Sequence, residues 1–115
     1  IRDTASAKKE NFYHGLLLGL LGYEENWIVR SNMEPGVGYS DILVEIPECR
    51  TGIVIEIKYA ENGNMDAACE QALSQIENRQ YDSKLKEDGM RKIIKYRIAC
   101  YKKDCRVILM KKDTP

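Results

Sequence analysis

The sequence predicts an α/β or α+β domain in which helices pack on a central mixed β-sheet. Three observations predict this: a helical apolar pattern opens the chain, short runs of β-forming residues follow, and a second helical pattern separates the third run from the last two. A strand-helix-strand step requires a crossover, so part of the sheet is expected to be parallel. The 115 residues suffice for one domain with one core.

The elements are predicted in the order α-β-β-β-α-β-β. The first helix spans residues 4–21, where Phe12, Leu16 and Leu20 recur at four-residue spacing and are expected to face the core. Strands follow over residues 26–32, 39–46 and 53–60, separated by the turns "EPGVG" and "PECRTG". A helix over 65–79 and a helical turn over 81–89 precede closing strands over 92–101 and 105–112.

The charges are balanced overall but unevenly distributed. Residues 1–80 hold seven Lys/Arg against thirteen Asp/Glu, whereas residues 81–115 hold eleven against five. A net charge of zero argues against a dedicated nucleic-acid binder, yet this asymmetry fits a metal pocket beside a phosphate-facing rim as well as it fits an ordinary solvated surface. The longest apolar stretch, "GLLLGLLGY", is too short to span a bilayer. A start at Ile1, close to a helical pattern, predicts that residues 1–115 are a domain of a longer chain.

The four cysteines, at positions 49, 69, 100 and 105, do not form a zinc-binding pattern. They lack a CxxC pair and a second Cys/His pair, so a structural zinc site is not expected. Reduced thiols in a cytoplasmic protein are the preferred interpretation. Cys100 and Cys105 flank the turn "YKKD" and can face each other across a hairpin, but the sequence does not decide whether they bond.

Two carboxylates and a lysine are predicted to meet at one end of the sheet. Glu56 and Lys58 share one face of their strand because side chains alternate along it. If the strands around "PECRTG" form a hairpin, Asp41 lies at a comparable distance from the turn and meets Glu56 on that face. Burying such charges without partners costs several kcal/mol each, so they must serve each other or a cation. The alternative is a surface ion pair on an exposed strand face.

Carboxylate oxygens with a nearby backbone carbonyl are suitable ligands for Mg²⁺, which keeps water or substrate phosphate in its other positions. Bound Mg²⁺ lowers the pKa of its water and neutralises charge that develops on a phosphodiester. Lys58 is placed to orient that water or to stabilise the anionic transition state. The arrangement therefore indicates phosphodiester hydrolysis.

Asp41, a spacer with a turn, and "EIK" after an apolar run resemble the metal-binding signature of the PD-(D/E)XK nuclease superfamily. The predicted order fits that superfamily's restriction-endonuclease-like αβββαβ core. "KKENFYHGLLLGLL" and "ACEQALSQIENRQY" are similar to a subgroup found C-terminal to an AAA-type ATPase-like region in bacterial proteins. Ser40 replaces the proline that names the motif.

The resemblance implies roles for the matching positions. Asp41 and Glu56 would be metal ligands, the carbonyl of Ile57 a third, and Lys58 the catalytic lysine. Glu10, on the first helix, matches an acid that contacts the metal through water or a second ion.

Three further positions are candidate substrate contacts by the same resemblance. Gln75 and Tyr81 fall where exonuclease-like members place a glutamine and a tyrosine, although the spacing differs. Tyr39 stands where many relatives carry an arginine, which puts a phosphate contact from that position in question. His14, one helical turn after Glu10, is either a partner of the site or a half-buried polar residue.

The resemblance also implies the context of the site. It predicts a cytoplasmic nuclease that uses Mg²⁺, with Mn²⁺ as a substitute, acts on nucleic acid and in particular DNA, and follows an upstream ATPase-like domain. A homodimer is an expectation by analogy, because double-strand cutters need two sites. The alternative is a catalytically silent module with the nuclease fold, which binds nucleic acid or protein beside an ATPase.

Overall fold

The computed structural model describes residues 4–33, 40–59, 81–102 and 104–113, with the side chains of residues 12–31, 41–59, 81–102 and 104–109. The elements in chain order are helix α1 (Thr4–Leu21), strands β1 (Ile28–Met33), β2 (Ser40–Ile46) and β3 (Thr51–Tyr59), helix α2 (Tyr81–Glu87), and strands β4 (Lys92–Tyr101) and β5 (Asp104–Asp113). The turn "EPGVG" and the helix predicted over 65–79 lie outside the described residues. Neither described helix is long and apolar enough to cross a membrane.

The strands form one five-stranded sheet in the order β1-β2-β3-β4-β5. Strands β3 and β4 pair in parallel, and the other three neighbouring pairs are antiparallel. A parallel pair requires a crossover connection, which runs through the chain between Tyr59 and Lys92. The predicted fold class, a mixed sheet with helices, is therefore confirmed.

A tight turn fixes the β2–β3 hairpin. The 3-10 helix Pro47–Cys49 ends at Arg50, whose φ of 51° is left-handed and whose N–H donates to the carbonyl of Pro47 at 3.2 Å. The carbonyl of Arg50 also accepts hydrogen bonds from the N–H groups of Arg91 (2.8 Å) and Lys92 (3.1 Å). The turn thus sets the register of β2 against β3 and brings the first residue of β4 to the beginning of β3.

Helix α1 covers one face of the sheet. The buried cluster on this face contains Ile42, Val44, Ile55, Ile57, Ile98 and Cys100, and the helix packs Tyr13, Leu17, Leu18 and Leu21 against it. The prediction that Phe12, Leu16 and Leu20 face the core is wrong, because these side chains are 64%, 51% and 64% exposed. The second half of α1 is apolar on nearly every side, so four-residue spacing alone does not identify the buried face.

Helix α2 covers the opposite face. Its side chains Tyr81 and Leu85 join Leu43, Val54, Met90 and Ile93 in a second buried cluster. A Cβ added at Gly52 would meet the methyl carbons of Leu85 at 3.1 Å, so the glycine permits α2 to approach β3 closely. Lys95 of β4 forms an ion pair of 2.6 Å with Asp82 at the beginning of α2. These contacts place Tyr81 over the centre of the sheet.

A polar cluster lies on the same face, toward the turn end of β2. Glu45 is 4% exposed, and Arg30 Nη1 lies 3.8 Å from its Oε1 and 3.1 Å from Asp88 Oδ2. Burial and the Asp88 carboxyl raise the pKa of Glu45, against the opposing effect of Arg30 and Lys84. The hydrogen bond with Glu45, followed by that from Arg30, lowers the pKa of Asp88. Glu45 is therefore the carboxyl of the pair that takes up a proton first as pH falls.

Glu45→Gln is expected to raise the free energy of unfolding relative to the wild type, by an amount that grows as pH rises. A carboxyl whose pKa is raised by folding binds its proton more tightly in the native state, so it lowers the free energy of unfolding as pH rises through the raised pKa. Glutamine carries no such charge, and its amide can still donate to Asp88. Urea unfolding from about pH 4 to about pH 8 should show the free energy of unfolding of the variant rising relative to that of the wild type. Glu48→Gln, on the exposed turn, is the control, and a constant difference for Glu45→Gln would contradict the assignment.

Candidate metal centre

Asp41 and Glu56 lie directly opposite each other on β2 and β3. This pairing was predicted from their similar distances to the hairpin turn, and the structure confirms it. Both residues are 0% exposed, so the carboxylates are withdrawn from water at the centre of the sheet. They are on the face that α2 covers, because Asp41 is two residues from Leu43 and Glu56 is two residues from Val54. The alternative of an exposed surface ion pair is therefore wrong.

Glu56 supplies the strongest sign that this pair holds a ligand. Neither Oε1 nor Oε2 has a hydrogen-bond partner among the described residues, and both atoms are buried. A buried carboxylate without compensating contacts costs several kcal/mol, whereas a divalent cation satisfies such oxygens directly. The donor set therefore fits a hard cation such as Mg²⁺ or Mn²⁺.

Tyr81 fixes one oxygen of Asp41. Its hydroxyl donates a hydrogen bond to Asp41 Oδ2, and Tyr81, the first residue of α2, is 6% exposed. The sequence placed Tyr81 near the substrate, whereas the structure directs its hydroxyl to a candidate metal ligand. A hydrogen bond of this kind orients the carboxylate.

Tyr81→Phe is expected to lower the free energy of unfolding of the metal-free protein by about 1–3 kcal/mol, the usual effect of removing a buried hydrogen bond to a charged group. The ring and its packing remain, so the loss reports the hydroxyl alone. Urea unfolding in the presence of a chelator measures it. Tyr23→Phe is the matched control because Tyr23 is 86% exposed. Equal stabilities of Tyr81→Phe and the wild type would show that the hydroxyl does not support Asp41.

His14 contacts β2, the strand of Asp41, from the face of the sheet opposite to Tyr81. The histidine is 4% exposed, its Nε2 lies 3.0 Å from Ser31 Oγ, and its ring is hydrogen-bonded to the backbone of Asp41. Burial lowers the pKa of His14, while the hydrogen bond to Asp41 acts in the other direction. A neutral ring that donates to the Asp41 carbonyl and accepts from the Ser31 hydroxyl satisfies both contacts. His14 therefore holds the backbone at Asp41. Its role as a partner of the site stays a prediction.

Lys58 and Ile57 occupy the positions next to Glu56. Lys58 is half-buried and shares the face of Glu56, since it lies two residues farther along β3. Ile57 is 0% exposed, and its side chain belongs to the cluster under α1. Its carbonyl remains the predicted third ligand.

Arg97 is a residue of this site that the sequence did not reveal. It lies opposite Glu56 in the parallel β3–β4 pairing, so Asp41, Glu56 and Arg97 form one row across three strands. Charged residues at alternate positions, Lys95 and Arg97, inside an apolar strand were the available signal. The register places a basic residue next to Glu56 on the neighbouring strand.

The remaining predicted site residues are only partly described. Glu10 lies on α1, but its side chain is outside the described set. Tyr39 and Gln75 lie outside the described residues altogether. Among the described side chains, no group of three or more His, Cys, Asp or Glu residues could hold a metal ion. A complete cation site at Asp41 and Glu56 therefore needs the carbonyl of Ile57, Glu10, water or substrate as further ligands.

A mixed five-stranded sheet with helices, carrying two opposed carboxylates and a Glu-x-Lys sequence on its central strands, defines a restriction-endonuclease-like domain. The family model described as the PD-(D/E)XK nuclease superfamily matches residues 8–109. The chain belongs to this superfamily, as the sequence resemblance predicted. Searches of curated proteins and of solved structures found no match.

Proposed function

We propose that this domain is a divalent-metal-dependent nuclease that hydrolyses phosphodiester bonds of nucleic acid, with DNA as the expected substrate and Mg²⁺ as the expected cofactor. One observation carries the proposal: the buried carboxylate of Glu56, whose oxygens have no hydrogen-bond partner among the described residues, faces Asp41 on the neighbouring strand. Membership of a nuclease superfamily supports it.

Named residues of this chain would bind the cation, assist the reaction and position the metal ligands. Asp41 and Glu56 bind the cation, and the Ile57 carbonyl is placed next to them in the chain. When bound, Mg²⁺ would supply an activated water and neutralise charge on the phosphodiester. Lys58 orients the water or stabilises the anionic transition state. Tyr81 and His14 hold Asp41 from opposite faces of the sheet.

A test needs both a cleavage assay and a metal-binding assay. Wild type and Asp41→Asn are incubated with single- and double-stranded DNA and RNA in Mg²⁺, Mn²⁺ or chelator, and metal binding is measured by calorimetry. We expect cleavage that the chelator and Asp41→Asn both abolish, while circular dichroism shows that the variant is folded. Absence of both metal binding and cleavage in the wild type would overturn the proposal.

The second candidate, a catalytically silent module that binds nucleic acid or protein, gives a different result in the same assays. It would bind metal or nucleic acid and leave every substrate intact. The intact Asp41, Glu56 and Lys58 set favours the enzyme. The upstream ATPase-like domain, the bacterial cytoplasmic setting, the homodimer and the substrate contacts of Gln75, Tyr39 and Tyr81 remain predictions from the sequence resemblance.

A further inference from the structure

Two thiols face each other across the β4–β5 hairpin. Cys100 and Cys105 are directly opposed in the antiparallel register, both are in the thiol form, and their sulfur atoms lie 3.0 Å apart. No described His, Cys or carboxylate side chains complete a metal site around them. The geometry brings together two groups that can react with each other, and it does so outside the candidate metal centre.

The hairpin geometry suits a bond between these residues. Tyr101 and Asp104 pair beside the turn, and Lys102 within it has a φ of 53°, as two-residue hairpin turns require. In such a hairpin the pair beside the turn exchanges backbone hydrogen bonds, so the next pair is of the non-hydrogen-bonded kind, with Cα atoms about 4.5 Å apart. That separation lies within the range that disulfides span. The backbone therefore needs little rearrangement for the two sulfur atoms to bond.

The two thiols differ in access. Cys105 is exposed, whereas Cys100 is 1% exposed. An external oxidant therefore meets Cys105 first, and the buried thiol is held where it can attack the resulting adduct. This is the arrangement of an attacking thiol and a resolving thiol.

We propose that Cys100 and Cys105 are an oxidation site that forms a reversible cross-strand disulfide with a small-molecule disulfide such as oxidised glutathione. The Cys105 thiolate attacks one glutathione sulfur, forms a mixed disulfide and releases one glutathione thiol. The Cys100 thiolate then attacks the Cys105 sulfur and releases the second glutathione. Two protein thiols are oxidised, one glutathione disulfide is reduced to two thiols, and the two protons pass to the released glutathione.

The bond would form at the strand ends that border the candidate metal centre. Cys100 pairs in register with Tyr59, the residue after Lys58, and the rings of Tyr59 and Tyr101 lie 5.9 Å apart. Tyr59 in turn stacks on Tyr13 of α1 at 6.3 Å. The disulfide would thus link β5 covalently to β4, the strand that carries Tyr101. Formation of this disulfide does not depend on whether the domain hydrolyses nucleic acid.

The test uses a Cys49→Ser, Cys69→Ser background, in which Cys100 and Cys105 are the remaining cysteines of the sequence. The protein is equilibrated in glutathione buffers of graded redox ratio, trapped by alkylation and digested with trypsin. We expect the peptides "IACYK" and "DCR" to be joined when oxidised glutathione is in excess, and to separate after reduction. The thermal midpoint of the oxidised form should exceed that of the reduced form by several degrees, since a cross-link restricts the unfolded chain.

Cys105→Ser in the same background is the matched control. It should show the same midpoint in oxidising and reducing buffer and should yield no joined peptides. The proposal is overturned if both thiols of the parent protein remain fully alkylated in excess oxidised glutathione. It is equally overturned if Cys105 accumulates only as the mixed disulfide, because Cys100 would then not act as the resolving thiol.

Discussion

Replacing Glu56 with glutamine is expected to weaken divalent-cation binding by at least about 100-fold, because substitutions of groups that merely support metal ligands already cost about 10–100-fold. The same change is expected to raise the free energy of unfolding of the metal-free protein by about 1–2 kcal/mol. Glutamine keeps the shape of the side chain and removes a charge that is 0% exposed. The gain is modest because the glutamine amide is itself a polar group left in a buried position.

Opposite effects on affinity and stability distinguish a binding residue from a structural one. Calorimetry with Mg²⁺ and Mn²⁺ measures the affinity, and urea unfolding in chelator measures the stability. Glu24→Gln, in the exposed segment after α1, should change neither quantity. If Glu56→Gln destabilised the metal-free protein and bound the cations as the wild type does, Glu56 would belong to the structure of the sheet and not to a metal centre.

Replacing Lys58 with methionine is expected to lower the rate of phosphodiester cleavage by about 10²–10⁴-fold while leaving cation affinity within a few-fold of wild type. Methionine retains the apolar stem of the half-buried lysine and removes its charge and donors. The carboxylates that bind the cation are unchanged, so the loss should fall on the chemical step. Single-turnover cleavage at saturating Mg²⁺ and Mn²⁺ isolates that step from binding.

Lys86→Met, at an exposed position of α2, is the control for loss of a lysine on this side of the protein and should cleave at the wild-type rate. Two outcomes would contradict the role given to Lys58. Undiminished cleavage by Lys58→Met would show that the ammonium group takes no part in the reaction. A parallel loss of cation binding would show that Lys58 maintains the fold of the site.

The pairing of the two carboxylates was predictable because local features determine it. Alternating apolar residues fix the faces of β2 and β3, and a short turn fixes their register, so Asp41 and Glu56 must meet. The pairing of β3 with β4, its parallel neighbour, is not determined by local features. Its register depends on a long connection and on how the helices pack, and no short turn sets it, which is why Arg97 was not placed beside Glu56.

Helix packing was the other limit of the sequence. The residues around Leu16 to Leu18 offer more than one apolar face, and only the sheet decides which is buried. The contacts that hold Asp41 also depend on helix packing. His14 and Tyr81 were singled out from the sequence, but their contacts with Asp41 come from the positions of α1 and α2 on opposite faces of the sheet. Long-range packing, which periodicity does not encode, determines both the buried face of α1 and the contacts of Asp41.

The most direct test of the metal centre is a crystal of the domain grown or soaked with Mn²⁺ and measured for anomalous scattering. We predict a peak between Asp41 and Glu56, with carboxylate oxygens about 2.2 Å from the ion, a separation typical of small divalent cations. Loss of that peak in crystals of Glu56→Gln would assign it to the pair. Well-ordered carboxylates with no anomalous peak between them at saturating Mn²⁺ would contradict the account.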